Sequence, residues 1–176
     1  MLLFGSRRLL VLLLGLIAVF LGDVASEAAR ETIQIAGRAA LRRDDHSRIC
    51  VDKAEGHYLC LYSFEGHNWS TGKSSFMNEA TMTHWIFADA VKRNGPIQGY
   101  TTMSNQGGSV LLKLRGHWTT IESADGSPLS QFEGTFLIEK GTGQFANIEG
   151  TGTFTGKMTT PFVQVVEWEG EYSIRK

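Results

Sequence analysis

Residues 132 to 156 carry the clearest structural signal in the chain, Phe132-Glu-Gly-Thr-Phe-Leu-Ile-Glu-Lys-Gly-Thr-Gly-Gln-Phe-Ala-Asn-Ile-Glu-Gly-Thr-Gly-Thr-Phe-Thr-Gly156. Two runs of strand-forming residues flank a glycine-rich corner at Gly141-Thr-Gly-Gln-Phe145. Every second residue from 150 to 156 falls on one face of the second run, and three of these four are glycines. Missing side chains let a sheet curl or let a bulky neighbour lie on it. The stretch therefore predicts two antiparallel strands in a strongly curved sheet.

Short apolar and β-branched runs recur from Ile49 to the end of the chain, and no window shows a sustained helical stripe. Turn-forming segments such as Asn94-Gly95-Pro96 separate the runs. The predicted strands are residues 58–64, 80–90, 99–104, 109–122, 130–140, 150–160 and 163–174. An array of about seven or eight such strands is typical of an all-β barrel or sandwich.

The corner within residues 132–156 resembles the glycine-rich segment that joins two late strands in the allene oxide cyclase and dirigent barrels. The resemblance implies an antiparallel eight-stranded barrel with an apolar cavity, and commonly a homo-trimer. Members of this family steer a reactive fatty-acid epoxide or the coupling of phenoxy radicals by holding a ligand's conformation. The cyclase's glutamate, asparagine and proline arrangement and the dirigent acid and arginine motifs have no match that we find in this chain. The resemblance therefore predicts a fold and leaves the activity open.

The N-terminus has the order of a secretory signal peptide. Arg7 and Arg8 precede an uncharged apolar run over residues 9–21, and small residues follow Asp23. That run is shorter than the roughly 20 residues that a helix needs to cross a bilayer. We expect residues 1–28 to be removed on export, which predicts a secreted or periplasmic protein with no stable membrane span. An uncleaved N-terminal anchor is the alternative.

The remainder of the chain is long enough for one hydrophobic core. Strand alternation fades after Ile35, so residues 29–47 are predicted to form a flexible arm, with the β-barrel domain over residues 48–176. The formal net charge is −1, and acidic and basic residues are interspersed. This composition predicts no nucleic-acid partner.

Cys50 and Cys60 are the two cysteines of the chain. In an exported protein a pair of cysteines is expected to form a disulfide, and the residues between them include a plausible turn at Glu55-Gly56. Two free buried thiols or a functional thiol are the alternatives.

Inward positions of the strands yield a set of candidate cavity residues. In residues 109–122 the apolar alternate set contains Trp118, which we expect to point inward. In residues 80–90 either face fits, because Trp85 lies on one apolar set and His84 on the other. An inward His84 could be a polar anchor or a proton-transfer group, or simply a hydrogen-bonded core residue. The candidate cavity residues are Tyr62, His84, Trp85, Trp118 and Phe154.

Motifs of metal, nucleotide and nucleophilic chemistry are missing from the sequence. The histidines show no recognised ligand spacing, and there is no nucleophile elbow, phosphate loop or dinucleotide fingerprint. We therefore predict no metal and no cofactor. Glu167, Glu169 and Glu171 alternate on one strand face, which is typical of a solvated surface, although paired carboxylates can do acid–base chemistry.

The sequence is most consistent with an exported barrel that binds a small apolar ligand in its interior. A cofactor-independent cyclase or isomerase that steers a reactive apolar substrate is one alternative. A structural envelope protein whose barrel is filled by its own side chains is another.

Overall fold

A computed structural model describes residues 31–52, 56–124 and 126–175, with only the backbone described for residues 44–47 and 52. The signal peptide predicted for residues 1–28 lies outside these residues. The described chain forms eight strands and one short 3-10 helix, Gly143–Phe145. The strands are β1 Ile33–Asp52, β2 His57–Ser70, β3 Ala80–Val91, β4 Gly95–Asn105, β5 Gly108–Glu122, β6 Pro128–Gly141, β7 Ile148–Thr160 and β8 Val163–Ile174.

Each strand pairs antiparallel with the next, and β8 pairs with β1, so the sheet closes into a barrel. The predicted all-β, eight-stranded antiparallel barrel is confirmed. Each of the seven predicted strands overlaps one of β2 to β8. Most ends agree within a few residues, but the strand predicted over 58–64 covers only the first half of β2.

The flexible arm predicted for residues 29–47 is wrong where the structure describes it, because β1 begins at Ile33. This strand pairs with β8 along one edge, from Ile33 opposite Tyr172 to Arg42 opposite Val163, and with β2 along the other. Ile35, Ala39 and Leu41 are buried on its inner face. Small residues between them concealed the alternation, and the barrel domain starts well before residue 48.

Glycines on the inner face lie directly against aromatic rings of neighbouring strands. An added Cβ at Gly152 would collide with the ring of Phe136, and one at Gly156 would collide with the ring of Phe132. Gly37 of β1 has the same relation to the indole of Trp168 on β8. The expectation that glycines between residues 150 and 156 make room for bulky neighbours is confirmed.

The two ends of the barrel differ in how they are filled. At the filled end, the loop between β2 and β3 inserts Phe76, whose ring centroid lies 5.5 Å from that of Phe145 and 6.0 Å from that of Trp168. The fully buried Asn68 donates to the carbonyl of Met77 (2.8 Å) and accepts from the Trp168 indole N–H (2.9 Å). These contacts fix the loop inside the barrel. The opposite end, where β3 meets β4 and β7 meets β8, is the cavity end.

Replacing Gly152 with alanine tests the ring contact. We expect Gly152→Ala to lower the free energy of unfolding by about 1–3 kcal/mol, because the new methyl forces Phe136 and the adjacent backbone to move. Thr153→Ser, on the exposed outer face of the same strand, is the control and should change it by less than about 0.5 kcal/mol. Urea unfolding measures both. Equal stability of Gly152→Ala and the parent chain would contradict the contact.

Candidate ligand cavity

The cavity end of the barrel holds an interior space of about 670 Å³. This volume lies within the range of about 300–1,000 Å³ that is usual for small-molecule sites. Aromatic and aliphatic side chains make up about half of its lining: Tyr58, Tyr62, Phe64, Ile86, Ala88, Ile97, Trp118, Phe132, Phe154 and Met158. The space can therefore accept a molecule with an apolar body.

Four of the five candidate cavity residues line this space: Tyr62, His84, Trp118 and Phe154. Tyr62 on β2 and Trp118 on β5 meet edge to face across the interior, with ring centroids 6.2 Å apart. The inward set expected in β5 is also confirmed, since Val110 and Leu112 are buried.

Trp85 was placed in the cavity wrongly. Its side chain is 41% exposed on the outer face of β3, opposite Ser63 on β2 and Tyr100 on β4. Burial of His84 and Ile86 on the inner face dictates this, because neighbouring residues of a strand point to opposite sides. Phe87 is exposed on the same outer face. Both faces of β3 are thus apolar, so alternation could not distinguish them.

Three arginines that the sequence analysis did not single out lie at the cavity end: Arg43, Arg48 and Arg93. We call this group the arginine rim. The guanidinium carbon of Arg43 is 5.4 Å from the ring centre of Tyr62 and 5.3 Å from that of Phe162, which are cation–π distances. Recognising β1 as a strand would have put Arg43 on the same inward-facing set of alternate residues as Ala39 and Leu41.

Three hydrogen-bond donors of the cavity lining are buried without a partner among the described residues. They are Nε of Arg43, Nε1 of Trp118 and Nε2 of Gln164. Buried polar groups are nearly always hydrogen-bonded. These three atoms have almost no accessible surface, so their side chains would have to shift slightly before a ligand group or a water could pair with them.

His84 lies at the floor of the cavity and also borders the apolar packing beneath it. Its Nδ1 is 2.6 Å from Oγ1 of Thr101, and its ring meets Phe64 edge to face. Burial lowers the pKa of the imidazole from 6.5 to about 4. A neutral imidazole held by a hydroxyl can exchange hydrogen bonds with a ligand, or accept a proton from an acidic one.

The predicted disulfide between Cys50 and Cys60 is present and joins directly opposed residues of β1 and β2. Beyond Arg43, whose backbone N–H donates to the carbonyl of Phe162, the described pairing of β1 is with β2 alone. The bridge therefore holds the end of β1 that carries Arg48, whose Nε lies 2.8 Å from Sγ of Cys50.

The alternating glutamates of β8 face solvent: Glu167, Glu169 and Glu171. Trp168 and Tyr172 on the opposite face are buried, which confirms the expected phase of this strand. Across the described ranges, no group of three or more His, Cys, Asp or Glu side chains is arranged to hold a metal ion.

No known family model matches the chain, and no curated protein matches it significantly. Among the described residues there is no helix long and apolar enough to span a membrane.

The lowered pKa of His84 predicts a pH dependence of stability. Between about pH 6.5 and 4 the unfolded chain binds a proton that the folded chain does not, so acidification should progressively destabilise the fold, by about 3 kcal/mol once below pH 4. His84→Gln should lose this part of the slope, and the exposed His117→Gln should keep it. Urea unfolding across this pH range measures the difference. Parallel profiles for the parent chain and His84→Gln would contradict the assignment.

Removing the disulfide should lower the stability of the barrel. In Cys50→Ala/Cys60→Ala we expect the free energy of unfolding to fall by about 2–3 kcal/mol, because the unfolded chain regains loop freedom. Thermal unfolding with and without a thiol reductant gives the matched control, since the reductant should destabilise the parent chain and leave the double variant unchanged. A parent chain insensitive to full reduction would argue against the bridge's role.

Proposed function

We propose that this chain is an exported β-barrel that binds a small apolar ligand inside its cavity end. The observation that carries the proposal is the cavity of about 670 Å³ with aromatic and aliphatic walls. Each square ångström of apolar ligand surface removed from water there would contribute about 25 cal/mol. Walls made by strands of a closed sheet are largely preformed, which reduces the entropy lost on binding.

A structural barrel filled by its own side chains fits less well. Protein interiors are normally close-packed, and the filled end of this barrel follows that rule, with Phe76 and Met77 buried inside it. The cavity end departs from the rule, because it holds a space of about 670 Å³ and its lining residues carry three donors without partners in the part of the chain that the structure describes. A barrel whose only role was structural would have no use for that combination.

A steering cyclase or isomerase is the second candidate, and His84 favours it. The imidazole is buried, neutral at physiological pH and adjacent to the space that a ligand would occupy. Glu122, at the end of β5, is exposed and offers no second buried acid. To separate the two functions, a molecule recovered from the protein is incubated with the parent chain and with His84→Ala. Conversion by the parent chain that His84→Ala abolishes would indicate catalysis. A molecule that stays unchanged would indicate binding alone.

Export is supported by the disulfide, since such bridges persist in oxidising compartments. We include the signal peptide in the proposal on its sequence order. Relationship to the allene oxide cyclase and dirigent barrels, and the trimer that it implies, remain proposals supported by the glycine-rich corner and the eight-stranded closure.

Blocking the cavity tests ligand binding with a neutral probe, N-phenyl-1-naphthylamine. The parent chain should bind it with enhanced dye fluorescence. Ile86→Trp places an indole in the cavity and should weaken binding at least about tenfold, as expected when an apolar contact of 1.4 kcal/mol or more is lost. Phe87→Trp, one residue away on the outer face, is the matched control and should bind normally. Similar affinities for both variants would place the dye outside the barrel.

A further inference from the structure

We propose that the ligand of this cavity is an organic anion, with an apolar body inside the barrel and a carboxylate-type head at the arginine rim. This inference rests on the proposed binding function and adds the chemical class of the ligand. It is carried by the charge, the donors and the packing at one end of the cavity.

The arginine rim gathers positive charge from separate parts of the chain. Arg43 and Arg48 stand on either side of the irregularity in β1, and Arg93 lies in the turn between β3 and β4. All three act on one phenol, because burial raises the pKa of Tyr62 while Arg48, Arg43 and Arg93 each oppose that rise. Their fields therefore converge inside the barrel.

Three residues that line the cavity each carry a buried donor without a partner among the described residues. Nε of Arg43 and Nε1 of Trp118 can only donate hydrogen bonds. Gln164, which is 4% exposed on β8, carries the third of these donors, its Nε2. A group that only accepts hydrogen bonds, such as a carboxylate, fits this set, whereas an amine or another cation does not.

Charge balance leads to the same class of ligand. The described residues that line the cavity include three arginines and no carboxylate. Arg43 is partly buried, whereas Arg48 and Arg93 are exposed. For a guanidinium that is partly removed from water, an anionic ligand offsets part of the desolvation cost. Arginine also pairs with carboxylates through two parallel hydrogen bonds, which selects the shape of the head group.

Packing holds Arg43 ready for this role. The rings of Tyr62 and Phe162 lie beside the guanidinium, and such contacts restrict its orientation. The N–H groups of a guanidinium point outward in its plane, the arrangement that pairs with a carboxylate. Less rotamer entropy is then lost when the head group binds.

Two dyes with the same aromatic body distinguish the contribution of ligand charge to the affinity from that of apolar contact. We compare 8-anilino-1-naphthalenesulfonate, an anion, with the uncharged N-phenyl-1-naphthylamine, using fluorescence titration of the parent chain and three variants. Arg43→Gln and Arg93→Gln remove rim charges, and Arg115→Gln removes an exposed charge on the outer face of β5. The three variants carry the same change in net charge.

We expect Arg43→Gln to weaken binding of the sulfonate about tenfold or more, as for a lost charge-assisted hydrogen bond. Because Arg93 is more exposed than Arg43, we expect Arg93→Gln to weaken sulfonate binding only about threefold. Arg115→Gln should leave the sulfonate affinity unchanged. The uncharged dye should bind all four proteins with affinities within about twofold of one another, and added salt should weaken only the sulfonate. Since Arg93 lies in a turn, its variant keeps the test decisive if Arg43→Gln fails to fold.

Three outcomes of the titrations would contradict the account, and each would overturn a different claim. If neither dye binds the parent chain, the proposed binding function itself fails. If both dyes bind and the rim variants leave the sulfonate affinity unchanged, the cavity binds ligands without recognising an anion. If Arg115→Gln weakens sulfonate binding as much as Arg93→Gln does, the preference reflects the overall field and the rim has no specific role.

Discussion

The packing of aromatic rings onto glycines is the constraint on which the rest of this barrel depends. Gly152 lies under Phe136, Gly156 under Phe132 and Gly37 under Trp168, so large and absent side chains alternate between adjacent strands. Each ring occupies the place of a missing Cβ on its neighbour, which lets the sheet bend sharply enough to close with eight strands. Closure then brings β1 against β8, and with it Arg43 to the interior.

The same packing leaves the interior asymmetric. Phe76 and the Asn68 hydrogen bonds complete the filled end, and no comparable insertion occurs among the described residues of the cavity end. His84 stands at the boundary, held by Thr101. The cavity walls above His84 are apolar and the rim carries arginines. An acid with an apolar body and a carboxylate head would therefore meet apolar walls inside and positive charge at the rim.

The sequence was sufficient for features that depend on local pattern, and insufficient for those that depend on closure. Strands β2 to β8 and the inward phase of β5 follow from alternation, and the disulfide follows from cysteine count and context. Strand β1 was missed because its inward positions include glycine and alanine, and Trp85 was misplaced because both faces of β3 are apolar. The arginine rim joins residues about 50 positions apart, a proximity created by strand pairing and invisible to spacing rules.

Native mass spectrometry of the protein, purified without denaturation from its own source and then incubated with the anilinonaphthalene sulfonate, tests the central claim most directly. The account predicts chains that carry one small molecule each, either an organic acid that leaves on denaturation or the sulfonate that has taken its place. Bare chains both before and after incubation would contradict a ligand cavity at this end of the barrel.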